Sequence, residues 1–293
     1  MTVKYPRVGV TAAGAKVQAA VKGKPVKSLP PVHANIGIEK AYAKKLEALV
    51  DAMHKSIMWY VVQCYKHNTP ESALMALDDS TSIKLDKIIR KLTRYWHKSF
   101  NEAAKQLAQY FANKNQQQTD QSLSAILKDS GFAVDFKLTA VMREVLQAAI
   151  KENVSLITHM ADQHLREIQG ITMRSVQVGG DLKYMSDQLE DRYKMTRKRA
   201  RLIARDQNSK ATAAVTRTRQ LELGIKQAQW LHSHAGKVPR PTHVAMNNKL
   251  YDVAKGMWDE DALGKGKGAY VHPGWLINCR CVSRSIVPEL GIR

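Results

Sequence analysis

Apolar side chains recur every three or four residues through most of this chain, and this spacing constrains its fold more than any other feature. In the segment IEKAYAKKLEALVDAMHKSIMWYVVQCYKH, which begins at Ile38, the recurring positions are Tyr42, Leu46, Leu49, Val50, Met53 and Ile57. Residues at such steps share one face of an α-helix. The spacing therefore predicts a long helix with one buried face.

The same period continues in three later segments. Residues 80–114 form a second predicted helix, whose buried side is marked by Ile83, Ile88, Leu92, Trp96, Ala103, Leu107 and Phe111. Residues 132–170 predict one or two further helices. The segment 196–224, TRKRARLIARDQNSKATAAVTRTRQLELG, predicts a long helix with Gly224 in the position expected just after a C-terminus.

Between these segments the sequence predicts interruptions. Thr69 and Pro70 suit the start of a new helix, with Pro at the first position. The polar stretch NKNQQQTDQS lacks periodicity and predicts a loop, followed by a helix start near Ser122. Gly170 and the pair Gly179-Gly180 interrupt the pattern again, and DLKYMSDQLEDRY predicts a separate short helix.

After Gly224 the pattern changes from helical spacing to short alternation. IKQAQWLHSHAG predicts a strand and a turn, Thr242 suits the N-cap of a short helix through Val244–Asn247, and KLYDV predicts another strand. WLINCRCVSRSIVPEL places Trp275, Ile277, Cys279 and Cys281 on one side of a further strand. We therefore predict a mainly α fold, an elongated helical body (37–224) with a small C-terminal α+β module (225–293).

Residues 1–36 form the first predicted unit, a basic extended arm. Their six cations are Lys4, Arg7, Lys16, Lys22, Lys24 and Lys27, and no acid precedes Glu39. This composition buries little apolar surface, so the arm is either a loose terminus or a segment that orders on a partner. The segment lacks the apolar core of a secretory signal, and nowhere does an apolar run reach the length of a bilayer span.

The formal net charge of +20 favours phosphate backbones and acidic protein surfaces as partners. The densest positive stretch comprises Arg192, Lys194, Arg197, Lys198, Arg199, Arg201, Arg205 and Lys210. We predict contact with nucleic acid or an acidic partner through Arg197, Lys198, Arg201, Arg205, Lys22, Lys24 and Lys27. The alternative is a solvated helix face with ion pairs. The chain carries no base-reading motif, so any DNA contact is expected to be nonspecific.

The three cysteines, Cys64, Cys279 and Cys281, do not make a disulfide framework and indicate a reducing compartment during synthesis. Cys279 and Cys281 are two residues apart, so on a strand both thiols face the same side, whereas Arg280 faces the other.

Together with His243 and His272 the two cysteines make a possible structural zinc site of four ligands. Buried reduced thiols that pack as small hydrophobes, or a redox or nucleophilic pair, are the alternatives.

Templates for catalysis are weak in this chain. It carries no phosphate-binding glycine loop, no Gly-x-Ser-x-Gly elbow and no His-Glu-x-x-His. HSHAG (232–236) places two histidines on one face of a possible strand, which a metal-dependent nuclease could use with Asn247 or Asn278 as an orienting group. Polar residues at a hairpin are the favoured explanation. We therefore assign no catalytic or cofactor-binding residue and expect no enzyme.

Four segments in order give the C-terminal half a resemblance to a known family. They are ENVSLITHM, MRSVQVGGDLKYMSDQLEDRYKMTRKRARLIARDQNSK, ELGIKQAQWLHSHAGKVPRPTHVAMNNKLYD and HPGWLINCRC. Together they resemble the phage Mu F-like minor head protein family, also called the phage head morphogenesis family, over residues 150–287. The positions that match its pattern are Arg205, Trp230, Arg240, His243, Asn278, Cys279, Arg280 and Cys281.

The resemblance implies a minor capsid protein of a tailed phage. Such proteins are made in the host cytoplasm, join the procapsid near the portal, scaffold or inner capsid, and end in the virion, some of them beside the packaged double-stranded DNA. No membrane is implied. The family pattern has a Gly before KLYD, where this chain has Asn247-Asn248; Asn tolerates a left-handed turn. Cysteines expected near Pro239 from some members do not occur here.

Overall fold

The computed structural model of the chain describes residues 28–67, 81–177, 182–234 and 238–287. Within them lie four long helices: α1 Ile36–His67, α2 Thr81–Asp129, α3 Ala140–Gln177 and α4 Leu182–Glu222. A short helix and five short strands follow: β1 Gln227–Leu231, α5 Pro241–Ala245, β2 Leu250–Asp252, β3 Met257–Asp259, β4 Ala269–Val271 and β5 Val282–Ile286. The prediction of a mainly α fold with a small C-terminal α+β module is confirmed.

Helix α2 runs straight through the polar stretch 113–122, so the predicted loop and the helix start at Ser122 are wrong. Three polar side chains of this stretch, Asn115, Thr119 and Asp120, are buried, and Asn115 is only 1% exposed. Its amide donates hydrogen bonds to Asn208 Oδ1 and Thr212 Oγ1, both 3.0 Å away. Because tertiary partners on α4 satisfy these groups, the helix needs no apolar periodicity here.

Two other predicted interruptions are also missing. Gly170 lies inside α3, and the two helices predicted over 181–224 are one continuous helix, α4. Gly224 ends α4 as predicted, with φ of 75°, and the Ile225 amide donates to the Gln220 carbonyl at 2.9 Å. Thr69, Pro70, Gly179 and Gly180 lie outside the described residues.

One packing unit comprises Glu39–Tyr110 and Ile150–Ala204, drawn from all four long helices. Five of the six predicted core positions of α1 are buried, and Leu49 is half-buried. On α2 the predicted face is shifted: Ile83 is 45% exposed, whereas Leu85 and Ile89 are fully covered. Polar contacts join the helices, such as Tyr42 Oη to Asn153 Oδ1 at 2.9 Å.

The other unit comprises Met1–Ile38, Phe111–Ala149 and Arg205–Arg293. The described end of the predicted arm packs here, because Leu29 and Val32 are buried against Leu123, Leu127 and Phe132. The Leu29 amide also donates to the Ser285 carbonyl of β5 at 2.9 Å. Residues 1–27 lie outside the described residues, and the predicted domain boundaries stay a prediction.

The strands form two antiparallel sheets, one of order β2-β1-β5 and one pairing β3 with β4. The strand predicted from Trp275 onwards is wrong in its start, because β5 begins only at Val282. Gly274 and Asn278 have φ of 81° and 60°, which breaks an extended backbone. Trp275 and Ile277 are consequently exposed, while the two cysteines between Asn278 and β5 are buried.

Candidate metal centre

His243 and the two C-terminal cysteines meet inside the small module. Nδ1 of His243 lies 3.4 Å from the Cys279 sulfur and 3.7 Å from the Cys281 sulfur. One ligand atom from each residue lies within 4.8 Å of the other two, and all three side chains are buried. The structure thus brings together three of the four ligands predicted from the sequence.

Local structure explains how the histidine is placed. Helix α5 begins at Pro241, whose fixed φ suits the first helical position, and Arg240 stands at the N-cap. Thr242, the predicted cap, lies two residues too late for that role. The His243 ring packs edge-on against the fully buried Trp230 of β1, with ring centroids 5.0 Å apart. Strand β1 therefore fixes the position of the histidine ring through its contact with Trp230.

Asp259 at the end of β3 completes the surroundings of the histidine. Its Oδ2 lies 3.2 Å from Nε2 of His243, and the residue is only 1% exposed. A metal-ligating histidine commonly presents its second ring nitrogen to a carboxylate in this way. Sequence reasoning missed Asp259, because an acid at the end of a three-residue strand carries no spacing signal.

The two thiols share their protons unequally. The neighbouring Cys281 thiol and then His243 lower the pKa of Cys279 well below its ordinary value, against the effect of burial. The same contact, together with burial, raises the pKa of Cys281. The Cys279 thiol is therefore the more acidic of the two.

Helix α4 holds the loop that carries the cysteines. The backbone amide of Asn278 donates to Asp206 Oδ1 at 2.6 Å, and Arg205 Nη2 donates to the side-chain Oδ1 of Asn278 at 3.1 Å. These bonds stabilise Asn278 in its left-handed conformation, which turns the chain into the cysteines. Consecutive residues of α4 thus fix both the backbone and the side chain of the turn.

Two further contacts hold the cysteine loop, one with α4 and one with the residue that precedes α5. A Cβ added at Gly274 would lie 2.8 Å from Cβ of Ala213 on α4, so only glycine permits this approach. Arg240 Nη2 donates to the Ile277 carbonyl at 3.0 Å. Three of the four sequence segments that carried the family resemblance therefore meet at the cysteine loop.

A comparison with protein families agrees with this convergence. Residues 166–284 match the family described as Phage Mu protein F like protein. This part of the chain is similar to that family, and we call it the Mu F-like region. It runs from the middle of α3 through α4 and the module into β5, and it contains every residue of the cluster.

Comparison with whole proteins gives one relative and no function. A protein of Haemophilus influenzae (strain ATCC 51907 / DSM 11121 / KW20 / Rd), named as an uncharacterized protein, is 29% identical over 275 residues. The alignment covers 87% of this chain and 58% of that protein, so the chain spans a little over half of the relative's length. No solved structure matches the chain.

Beside the cluster, the Mu F-like region opens into a cleft of about 660 Å³. The cleft is lined in part by the three residues of the cluster and by His232. Three arginines also line it: Arg205, Arg240 and Arg280. Burial, followed by the charges of His234 and His243, lowers the pKa of His232, so its ring stays neutral at physiological pH. A neutral imidazole on this wall is a further candidate ligand.

His272 does not join the cluster within the described residues. Its ring lies against Gly256, where an added Cβ would come within 3.1 Å of Cε1, and its centroid is 6.5 Å from that of Tyr251. Burial lowers its pKa to about 4. We therefore place His272 in the packing of the module.

The two-histidine segment is a loop rather than a strand face. Strand β1 ends at Leu231, and His234 has φ of 51°. The rings of His232 and His234 meet edge-on, with centroids 4.6 Å apart, and Asn247 Oδ1 accepts a hydrogen bond from the His232 amide. Asn248, with φ of 63°, occupies the left-handed turn position expected to substitute for the family's glycine.

Three arginines in the basic stretch of α4 pair with acids from other helices. Arg197 lies 3.2 Å from Glu47 and 3.4 Å from Asp51, and Arg201 donates to Glu47 at 2.5 Å. Three neighbouring cations are also engaged: Arg192 with Glu167, Lys210 with Asp206, and Arg199 with Gln163. Lys198 is exposed. Lys22, Lys24 and Lys27 lie outside the described residues.

Proposed function

We propose that this chain is a minor head protein of a tailed phage that acts in procapsid assembly near the portal or inner capsid. The supporting observation is the match of residues 166–284 to the Mu F-like family, over the part of the chain where Arg205, Asp206 and the cysteine loop interlock. The expected partners are the portal, scaffold or major capsid protein of the same phage. The protein is expected in the virion, after synthesis in the host cytoplasm.

Quantitative mass spectrometry of purified procapsids and virions tests this proposal. The protein is expected in both particles at a fixed low copy number, with cross-links to portal, scaffold or capsid protein. A deletion strain is expected to accumulate aberrant heads, which the intact gene restores. Particles that assemble normally and contain none of the protein would overturn the proposal.

We propose that the protein also contacts double-stranded DNA without sequence specificity. The net charge of +20 supports this part, because such a surplus attracts the phosphate backbone at any sequence. The pairing of Arg197 and Arg201 with acids argues against those two residues as the main contact. Among the described helices, none is long and apolar enough to cross a bilayer, and we propose no membrane role.

We propose that the module binds one structural zinc ion through His243, Cys279 and Cys281, with the fourth position facing the cleft that His232 lines. Zinc prefers such nitrogen and sulfur ligands, and Asp259 would hold the imidazole in place. The bound ion would join the cysteine loop to α5. Elemental analysis of the purified protein is expected to give one zinc per chain.

One observation favours an alternative, a thiol enzyme. The Cys279 sulfur lies 3.4 Å from Nδ1 of His243, and Nε2 of His243 lies 3.2 Å from Oδ2 of Asp259. A nucleophile, a base and an orienting acid are arranged in this order in thiol enzymes. An enzyme of this kind would be alkylated rapidly at Cys279 by iodoacetamide and slowly in H243Q.

A metal-dependent nuclease would instead nick DNA only with added divalent metal and lose that activity in His243→Ala. Inert thiols and no nicking would dispose of both.

A further inference from the structure

Helix α2 carries a line of cations that sequence analysis did not single out. Starting at Lys84, the positions reached by alternating steps of three and four residues are Lys87, Lys91, Arg94, Lys98, Asn101 and Lys105. Six of these seven side chains are positive. Such steps keep residues on one face of a helix, so the charges lie in a single row along α2.

The row faces solvent. Lys87, Lys91, Arg94, Lys98 and Lys105 are all exposed, and Lys84 is half-buried. Among the described residues, Lys91, Arg94, Lys98 and Lys105 make no hydrogen bond or ion pair. The opposite face of the helix holds the core positions Leu85, Ile89, Leu92, Trp96 and Phe100. We call Lys91, Arg94, Lys98 and Lys105 the α2 basic stripe.

Neighbouring acids compensate little of this charge. Between residues 81 and 110 the acids are Asp86 and Glu102. Asp86 is occupied by Arg90, whose Nε lies 2.6 Å from its carboxylate. On α4, by contrast, three arginines form ion pairs with Glu47, Asp51 and Glu167 from other helices.

The dimensions of the stripe suit a duplex. The 14 residue steps from Lys91 to Lys105 make the stripe about 21 Å long at about 1.5 Å per residue. B-form DNA presents one charge per roughly 1.7 Å of its axis, so that length of duplex offers about 12 phosphates. No stripe position is apolar, whereas protein interfaces depend on buried aromatic or aliphatic anchors. Charge and shape together therefore favour DNA over an acidic protein.

We propose that the α2 basic stripe is the surface by which this protein binds the phosphate backbone of double-stranded DNA. The inference rests on the DNA contact proposed above and assigns it to α2 in place of α4. Each lysine or arginine neutralises a phosphate and releases counterions, so binding is strong at low salt and independent of sequence.

The test compares two variants that lose the same charge. One is K91Q/R94Q/K98Q/K105Q. The other, K249Q/K255Q/K265Q/K267Q, removes four exposed lysines of the C-terminal module. Fluorescence anisotropy with a short mixed-sequence duplex, over a series of salt concentrations, gives the affinity and its salt dependence. Circular dichroism and thermal unfolding verify that each variant is folded.

The stripe variant is expected to lower the slope of log K against log salt by about 3 to 4, since each lost phosphate contact removes roughly 0.9. The matched variant is expected to keep most of the wild-type slope. Equal losses in the two variants, or an unchanged slope in the stripe variant, would overturn the assignment to α2. Wild-type protein that binds no duplex at low salt would instead remove the DNA contact itself.

An acidic protein partner gives a different result. In that case the stripe variant keeps its affinity for the duplex and loses affinity for poly-glutamate, which would overturn the choice of DNA. The outcome of the particle analysis is separate from all of these results, because incorporation into procapsids is measured without reference to DNA binding. Failure of the stripe and failure of the assembly role can therefore be told apart.

Discussion

Replacing Cys279 by serine is expected to abolish stoichiometric metal binding. Zinc–sulfur bonds of about 2.3 Å and zinc–nitrogen bonds of about 2.0–2.1 Å imply a nitrogen–sulfur edge of about 3.6 Å in a tetrahedron. The two observed distances from His243 Nδ1, 3.4 and 3.7 Å, lie on either side of this value. Both nitrogen–sulfur distances therefore fit the proposed zinc site, and Cys279→Ser would remove one of its three proposed ligands.

Cobalt is a suitable probe because it takes the place of zinc and is coloured when tetrahedral. Titration of the metal-free protein with Co²⁺ is expected to give d–d bands and a sulfur-to-cobalt charge-transfer band that saturate at one equivalent. Cys279→Ser and Cys281→Ser are expected to lose the charge-transfer band. Asp259→Asn is expected to keep the spectrum and weaken affinity by about 10- to 100-fold. Affinity falls with acid, because both thiols must lose their protons.

Two controls separate ligation from general damage. His272→Gln removes the fourth ligand predicted from the sequence and is expected to leave the cobalt spectrum unchanged. Cys64→Ser removes the thiol of the other packing unit and is expected to do the same. Wild-type protein that shows no tetrahedral cobalt spectrum, or a spectrum that survives Cys279→Ser, would refute the geometric argument.

Three other predictions concern stability. His164 is fully buried, and burial followed by the charge of Arg192 lowers its pKa to about 3. Below pH 6.5 the unfolded chain therefore binds a proton that the folded chain excludes, and the free energy of unfolding is expected to fall by about 2 kcal/mol by pH 5. Urea unfolding measures this fall, which is expected to be smaller in His164→Gln. Asp120→Ala removes two bonds, of 2.8 and 2.7 Å, from the buried guanidinium of Arg219, which keeps its ion pair with Glu222, and is expected to cost about 1.5–3 kcal/mol by the same method. Gly274→Ala is expected to lower the melting temperature through its positive φ, worth about 1–2 kcal/mol, plus the clash with α4.

Matched variants serve as controls for these three. His159→Gln removes an exposed histidine and should retain the full pH dependence. Asp86→Ala breaks an exposed pair worth about 0–1 kcal/mol. Gly264→Ala has φ of 77° but open space around it, so its effect isolates the backbone part of the Gly274 result. Equal effects within any of these pairs would contradict the corresponding argument.

The long helices could be predicted because one buried face leaves a regular trace in the sequence. Tyr42, Leu46 and Val50 are buried as that trace requires. The trace fails where polar residues are buried, as at Asn115, because hydrogen-bond partners nearly a hundred residues away decide the outcome. It also fails at Trp275 and Ile277, where left-handed residues on either side interrupt the alternation.

The site was predictable only in part. Cysteines two residues apart and one histidine on a short helix gave three members of the cluster. His272 was predicted as the fourth ligand, but it lies outside the cluster, because the order of residues along the chain does not show which loops meet in space. Asp259 was missed, since the pairing of β3 with β4 that places it beside His243 has no pattern in the sequence.

The contact between Asn115 and Asn208 has a consequence for how two helices of 49 and 41 residues find their alignment. Apolar stripes repeat, so one long helix could slide along another by two turns and still bury apolar side chains. A buried amide pair has no second match along either helix and therefore selects a single axial setting. Replacing both residues by leucine is expected to raise stability while permitting slipped alignments. Because Arg205 and Asp206 of α4 bond to Asn278 in the cysteine loop, such slippage would displace that loop as well.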